Sequence, residues 1–134
     1  MARKARLLLA DDEAAILQQI TDLLEAEFEV VGVARDGMEL WSRAQALKPD
    51  IIVTDFQMQR MNGIEAGREL IRGGFCGAAV LLTMYEEPYL IEQALRAGFR
   101  GFVLKANAGE DLIPAVREAL AGRTFVSAIV GPRR

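Results

Sequence analysis

Five short apolar runs that do not alternate with polar residues constrain this chain most. They are RLLLA (6–10), EVVGVA (29–34), DIIVTD (50–55), AAVLLT (78–83) and GFVLK (101–105). A half-buried strand alternates apolar and polar residues, whereas an unbroken apolar strand needs cover on both faces. Between the runs lie helical patterns. Ile16, Ile20, Leu23 and Leu24 form one stripe within 13–27, and Leu40, Trp41, Ala44 and Leu47 form a second. Ile64, Gly67, Leu70 and Ile71 form a third, and Leu112, Val116, Ala119 and Leu120 mark the last. Asp36 with Glu39 three residues on reads as a capping box, and Pro49 ends that helix. Pro88 suits the first turn of a fourth helix, and Gly98 its C-terminal end. Strands and helices in strict alternation predict a (βα)5 chain: a doubly wound α/β sandwich with a parallel sheet and right-handed crossovers.

In such a sheet, ligands bind outside the carboxyl ends of the strands. Those ends carry Asp11 and Asp12 after the first run, Asp55 at the third, Thr83 at the fourth and Lys105 at the fifth. Two carboxylates ~5 Å apart at an effective dielectric of about 20 repel by roughly 3 kcal/mol, so a cluster of three needs a compensating charge. Hard oxygen ligands from two strands suit Mg2+, with waters filling the other octahedral positions. Each residue taken singly has a plainer reading: an acidic pair or a strand-end aspartate as a helix cap, a strand-end lysine as a solvated charge. Their convergence on one rim is what points to chemistry.

The rest of the composition narrows the field. The 134 residues are 51% apolar with a net charge of −3, which suits one folded domain and gives no basic surface of nucleic-acid scale. The chain has no histidine, so histidine catalysis, metal ligation and phosphotransfer cannot occur within it. Cys76 is the lone cysteine, and a cytosolic location is the simplest reading. The basic start Arg3-Lys4-Ala5-Arg6 precedes an apolar run that ends after four residues at Asp11. A secretory core needs ~7–15 residues, and no window approaches the ~20 of a membrane span.

The residues at the rim bring a resemblance with them. DD at 11–12, VTDFQMQRMNG at 53–63, LLT at 81–83 and FVLK at 102–105 resemble, in order and spacing, the receiver domain of two-component response regulators. LLTMYEE, ALRAGFRGFVLKA and AVREALAGRTFVS are similar to receivers of the NarL/LuxR class. The resemblance covers residues 5–122. It implies a flavodoxin-like, CheY-like sheet of order 2-1-3-4-5, with 123–134 as a tail or truncated linker. It implies that Asp55 accepts a phosphoryl group from a sensor histidine kinase. Asp12 and Asp55 would ligate Mg2+ with the backbone carbonyl of Gln57, and Asp11 would act through water. Thr83 and Lys105 would bind phosphoryl oxygens, Thr83 and Phe102 would form the switch, and Gln57 and Tyr85 would tune turnover. The output would be transcriptional, through a helix-turn-helix domain absent from this sequence. A stand-alone regulator acting by protein contacts is the alternative.

One departure stands out: Gln59 replaces the family's usual proline. Pro114 falls inside the fifth helix as the family would place it, and it must sit near the first turn or leave a distortion. Glu87, Glu92, Arg96, Arg100, Arg117, Glu118 and Arg123 suggest a self-complementary surface on the fourth helix, fifth strand and fifth helix, suited to a phosphorylation-dependent homodimer. Other classes fare worse. A haloacid-dehalogenase-type phosphatase needs an acid two residues after its nucleophile, where Gln57 stands. A nucleotide binder needs phosphate-accepting amides where Asp11, Asp12 and Glu13 would repel the ligand.

Overall fold

A computed structural model describes residues 3–127. Its elements run β1 (Arg6–Ala10), α1 (Ala14–Leu24), β2 (Glu29–Ala34), α2 (Gly37–Leu47), β3 (Ile51–Asp55), α3 (Gly63–Arg72), β4 (Ala78–Thr83), α4 (Pro88–Arg96), β5 (Gly101–Leu104), α5 (Ala108–Leu120) and β6 (Phe125–Val126). All strands are parallel, in the order β2-β1-β3-β4-β5-β6.

The unbroken apolar runs have a simple cause: each strand feeds two cores. Leu7, Leu9, Val53, Val80, Leu82 and Val103 meet Leu17, Ile20 and Leu24 of α1 and Leu112 and Val116 of α5. Leu8, Ile52, Ala79, Leu81 and Phe102 meet Leu40 and Ala44 of α2, Leu70 of α3 and Leu90 of α4. Residues i and i+1 point to opposite faces, so covering both faces removes the alternation.

Local signals fix the helix ends. Asp36 caps α2 by accepting the Glu39 amide at 2.8 Å. Glu39 in turn accepts from the Arg35 amide, one residue before the expected partner. Asn62 caps α3 through the Glu65 amide. Pro88 opens α4, and Gly98 follows it at φ +101°. Not every predicted helix face holds. Leu17, outside the expected stripe, is buried on α1, while Trp41 and Leu120 lie on exposed ground. Pro114 sits mid-helix in α5 rather than in its first turn. Its ring removes the amide that would bond the Glu110 carbonyl, which lies on an exposed residue where water can replace the bond.

The sheet has one strand more than the sequence suggests. Gly122, at φ +80°, turns the chain back after α5. Phe125 and Val126 then pair in parallel with Gly101 and Phe102. The segment read as a tail from residue 123 onward thus begins as an edge strand.

The end of β3 is held by close backbone packing. A Cβ on Gly63 would lie 1.9 Å from the Asp55 carbonyl oxygen, and the Gly63 amide bonds the Phe56 carbonyl at 2.9 Å. Gly109, on an exposed turn of α5, has open space around it. Gly63→Ala should therefore destabilise by about 3 kcal/mol, as overpacking does. Gly109→Ala should stabilise by roughly 0.5–1 kcal/mol through helix propensity and unfolded-state entropy. Urea unfolding of the two variants checks both signs, and equal effects would contradict the packing.

Candidate functional site

The rim where β1, β3, β4 and β5 end brings together the residues singled out in the sequence. Asp11 is fully buried and Asp55 is 7% exposed, whereas Asp12 is exposed. One carboxylate oxygen from each of Asp11, Asp12 and Asp55 lies within 4.8 Å of the others. Lys105 reaches in from the end of β5. Its Nζ lies 2.8 Å from Asp11 Oδ2 and 3.3 Å from Asp55 Oδ2. The first compensating charge is therefore a lysine of the chain itself.

One lysine does not balance three carboxylates, and burial adds to the cost of their charge. Burial pushes the Asp55 carboxyl up to about 6; Lys105 pulls it down, and Asp11 adds a further upward push. Lys105 itself is held above the usual lysine range, because Asp11 and Asp55 outweigh the burial that works against its charge. Asp11 Oδ1 accepts the Glu13 amide at 3.0 Å. Asp11 Oδ2, for all its proximity to Lys105, has no well-aligned hydrogen bond among the described residues. Clustered hard oxygens with spare lone pairs and residual negative charge suit a small divalent cation.

A pocket of about 280 Å3 opens over the cluster, lined by Asp12, Glu13, Asp55, Gln57, Met84, Tyr85 and Lys105. Thr83 ends β4 fully buried, and its Oγ1 accepts the Tyr85 amide at 3.2 Å. Tyr85 spans the pocket, its hydroxyl donating to Gln57 Oε1 at 3.2 Å. Phe102 is 1% exposed, in the core layer that holds Leu90 and Ala94 of α4. Its ring thus lies inward in this structure.

The loop after β3 is fixed without the proline that Gln59 replaces. The Gln59 carbonyl accepts the amides of Gly37 and Met61 at 3.2 and 2.8 Å, and Arg60 pairs with Asp36 at 2.9 Å.

Two contributors escaped the sequence reading. Arg35 donates to the Asp12 carbonyl from Nη2 at 2.9 Å and Nε at 3.3 Å. Ser127 bonds to β5 beside Lys105. Arg35 directly follows β2, so the strand-end rule that picked out Asp11 and Lys105 could have found it, whereas Ser127 follows the two-residue β6, which has no periodic signal. The charged surface also needs revision. Arg117 pairs with Glu27 beyond α1, so it faces away from α4. Arg96 pairs with Glu92, and Arg123 with Glu118.

A doubly wound parallel sheet with an acidic cluster, a lysine and a hydroxyl at its carboxyl rim defines a phosphoacceptor switch domain. The comparisons agree. The response regulator receiver domain family matches residues 7–117, and the chain belongs to it. Transcriptional regulatory protein PdtaR of Mycobacterium tuberculosis is 35% identical over 127 residues, 94% of this chain and 62% of that protein. A LuxR-family two-component response regulator from Aurantimonas sp. SI85-9A1 superposes with a TM-score of 0.86 at 30% identity, covering 92% of this chain and 90% of that one. The isolated receiver domain of RcsB from Salmonella enterica serovar Typhimurium, with the phosphomimetic BeF3−, superposes at 0.82 and 26% identity, covering 92% and 94%. The chain thus spans 62% of the length of that curated relative. Acceptance of a phosphoryl group is the general activity of receiver domains, which are switches rather than conventional enzymes. No helix among the described residues is long and apolar enough to cross a membrane.

The raised Asp55 carboxyl makes a pH prediction. A folded-state pKa of about 6, above the ordinary 3.8, means the native state binds more protons than the unfolded one between those values. Stability therefore falls as pH rises from about 4 to 6, and above that the ionised group costs up to about 3 kcal/mol. Asp55→Asn should be more stable than the parent at pH 7–8 in the absence of divalent cation, and the gain should fade towards pH 4. Urea melts across that range check it; a gain independent of pH would contradict the electrostatic cause.

Proposed function

We propose that this domain takes a phosphoryl group from a phosphohistidine of a sensor histidine kinase onto Asp55. A carboxylate oxygen of Asp55 forms the new P–O bond as the P–N bond to the kinase imidazole breaks, and the imidazole keeps the electron pair. The observation that carries this reading is the crowded Asp55 in contact with Lys105 beside two further carboxylates. With a carboxyl pKa of about 6, Asp55 is mostly ionised at neutral pH. Asp12, Asp55 and the Gln57 carbonyl would hold Mg2+, with Asp11 acting through a bound water. When bound, the ion supplies positive charge against the phosphoryl oxygens. Lys105 would pair with one such oxygen and the Thr83 hydroxyl would bond another, both stabilising the charge spread over them in the transition state.

Thr83 and Phe102 would pass the change to α4, β5 and α5. Tyr85, bonded across the pocket to Gln57, would obstruct the hydrolytic water and so prolong the aspartyl phosphate, whose formation and loss the domain itself would promote. The similar regulators are transcriptional. That supports a receiver, residues 5–122, controlling a transcriptional output in the cytoplasm rather than a domain that touches nucleic acid itself. The charged surface of α4, β5 and α5, now without Arg117, is the proposed face of a phosphorylation-dependent homodimer. Sedimentation velocity with and without BeF3− tests that face; an unchanged monomer fraction over a wide concentration range removes it.

Radiolabelled acetyl phosphate with Mg2+ tests the central step. The parent should label, Asp55→Asn should not, and Tyr85→Ala should lose the label several-fold faster. Undiminished labelling of Asp55→Asn removes Asp55 from its role. An unchanged lifetime in Tyr85→Ala removes Tyr85 from the water path.

A further inference from the structure

The chain leaving α5 is hydrogen-bonded to the strand that carries the site's lysine. β5 and the residue before it offer the outward carbonyls of Arg100 and Phe102 and the outward amide of Leu104, because alternate residues of an extended chain direct their polar groups to the same side. The Phe125 amide donates to Arg100 at 2.9 Å, and the Ser127 amide donates to Phe102 at 2.8 Å. The third contact is not backbone pairing. The Leu104 amide donates to the hydroxyl oxygen of Ser127 at 3.1 Å, and that hydroxyl donates to Asp111 Oδ2 on α5 at 2.8 Å. Ser127 is 2% exposed. Its hydroxyl is therefore a buried two-way link between β5 and α5. Leu104 directly precedes Lys105, whose Nζ sits between Asp11 and Asp55.

We infer that Ser127 is a positioning residue for Lys105, and that residues 123–127 form a docked strap whose attachment is thermodynamically linked to occupancy of the phosphoacceptor site. This rests on the reading of Asp55 as acceptor. The docked strap accompanies an inward Phe102 and a Lys105 already in contact with Asp55. Its two bonds from Ser127 hold the backbone on either side of Val103 in that arrangement. A ligand that draws on Lys105 at Asp55 therefore binds the strapped state better, and by reciprocity its binding tightens the strap. Only a hydroxyl serves here: alanine loses both the acceptor for Leu104 and the donor to Asp111, whereas threonine retains both.

Amide hydrogen exchange and a titration with BeF3− and Mg2+ test it. In the parent, the ligand should slow exchange in the β3–α3 loop around Asp55 and also in 123–127. Ser127→Ala should fold, shown by unchanged circular dichroism, yet bind BeF3− about fivefold more weakly, at the low end of ordinary coupling. Ser127→Thr should restore the affinity, and Asp111→Asn, which keeps an acceptor for the hydroxyl, should stay near the parent. Protection around Asp55 with no change in 123–127, together with parental affinity in Ser127→Ala, overturns the coupling while leaving the acceptor intact. No protection anywhere overturns the acceptor reading and the coupling with it. A Ser127→Ala chain that loses its fold moves the affinity test to Asp111→Ala, which removes the hydroxyl's acceptor; parental affinity there overturns the inference.

Discussion

Lys105 stands 2.8 Å from Asp11 and 3.3 Å from Asp55, and this contact underlies the rest of the rim. Without it, two buried carboxylates and a third beside them would repel by several kcal/mol in a site that water only partly screens. The lysine comes from the end of β5, the aspartates from the ends of β1 and β3. Strand order and register must therefore bring three chain segments, about fifty residues apart, to one edge. The two apolar layers supply the means: they lock each strand against helices on both faces, so register cannot slip without moving buried leucines into the wrong layer. The compensation stays incomplete: one lysine faces three carboxylates, and burial makes their charge costlier still, raising the Asp55 carboxyl. That residual negative charge is what a divalent cation would relieve, and a phosphoryl oxygen would compete with the carboxylates for the same lysine.

Much of this was legible in the sequence because it follows from short-range patterns. The five runs, the cap at Asp36, Pro88 and Gly98 each express a rule about neighbours in sequence. Asp11, Asp12, Asp55, Thr83 and Lys105 became legible as a group once a parallel sheet placed strand ends together. The failures share a cause as well. β6 is two residues long, too short for a periodic signal, and it exists because β5 had an edge to pair. Trp41 fits a helical stripe by spacing, but its side of α2 lies on exposed ground. Arg117 turns to Glu27, ninety residues away in sequence, which no local pattern encodes.

Around the acceptor, Phe102 is buried, the β3–α3 loop is tied by the Gln59 carbonyl, and Tyr85 bridges to Gln57. Whatever change occurs when Asp55 is modified must come from redistribution of the Lys105 and Thr83 contacts, since a ligand shifts an equilibrium only through differential binding. The strands flanking Lys105 are where such a redistribution would first be felt, and β6 lies along that side.

The claim at the centre is that three carboxylates are held together against their own repulsion and leave a place for a cation. Thermal unfolding of the parent and of Asp12→Asn, each with and without millimolar Mg2+, measures it most directly. At tenfold excess over Kd, mass action adds about 1.4 kcal/mol, a Tm rise of roughly 3–6 °C for a domain of this size. The parent should show that rise. Asp12→Asn should start from a higher Tm without metal and gain less from it. A parent Tm indifferent to Mg2+, or an Asp12→Asn variant less stable than the parent without metal, would contradict the charge-frustrated cluster.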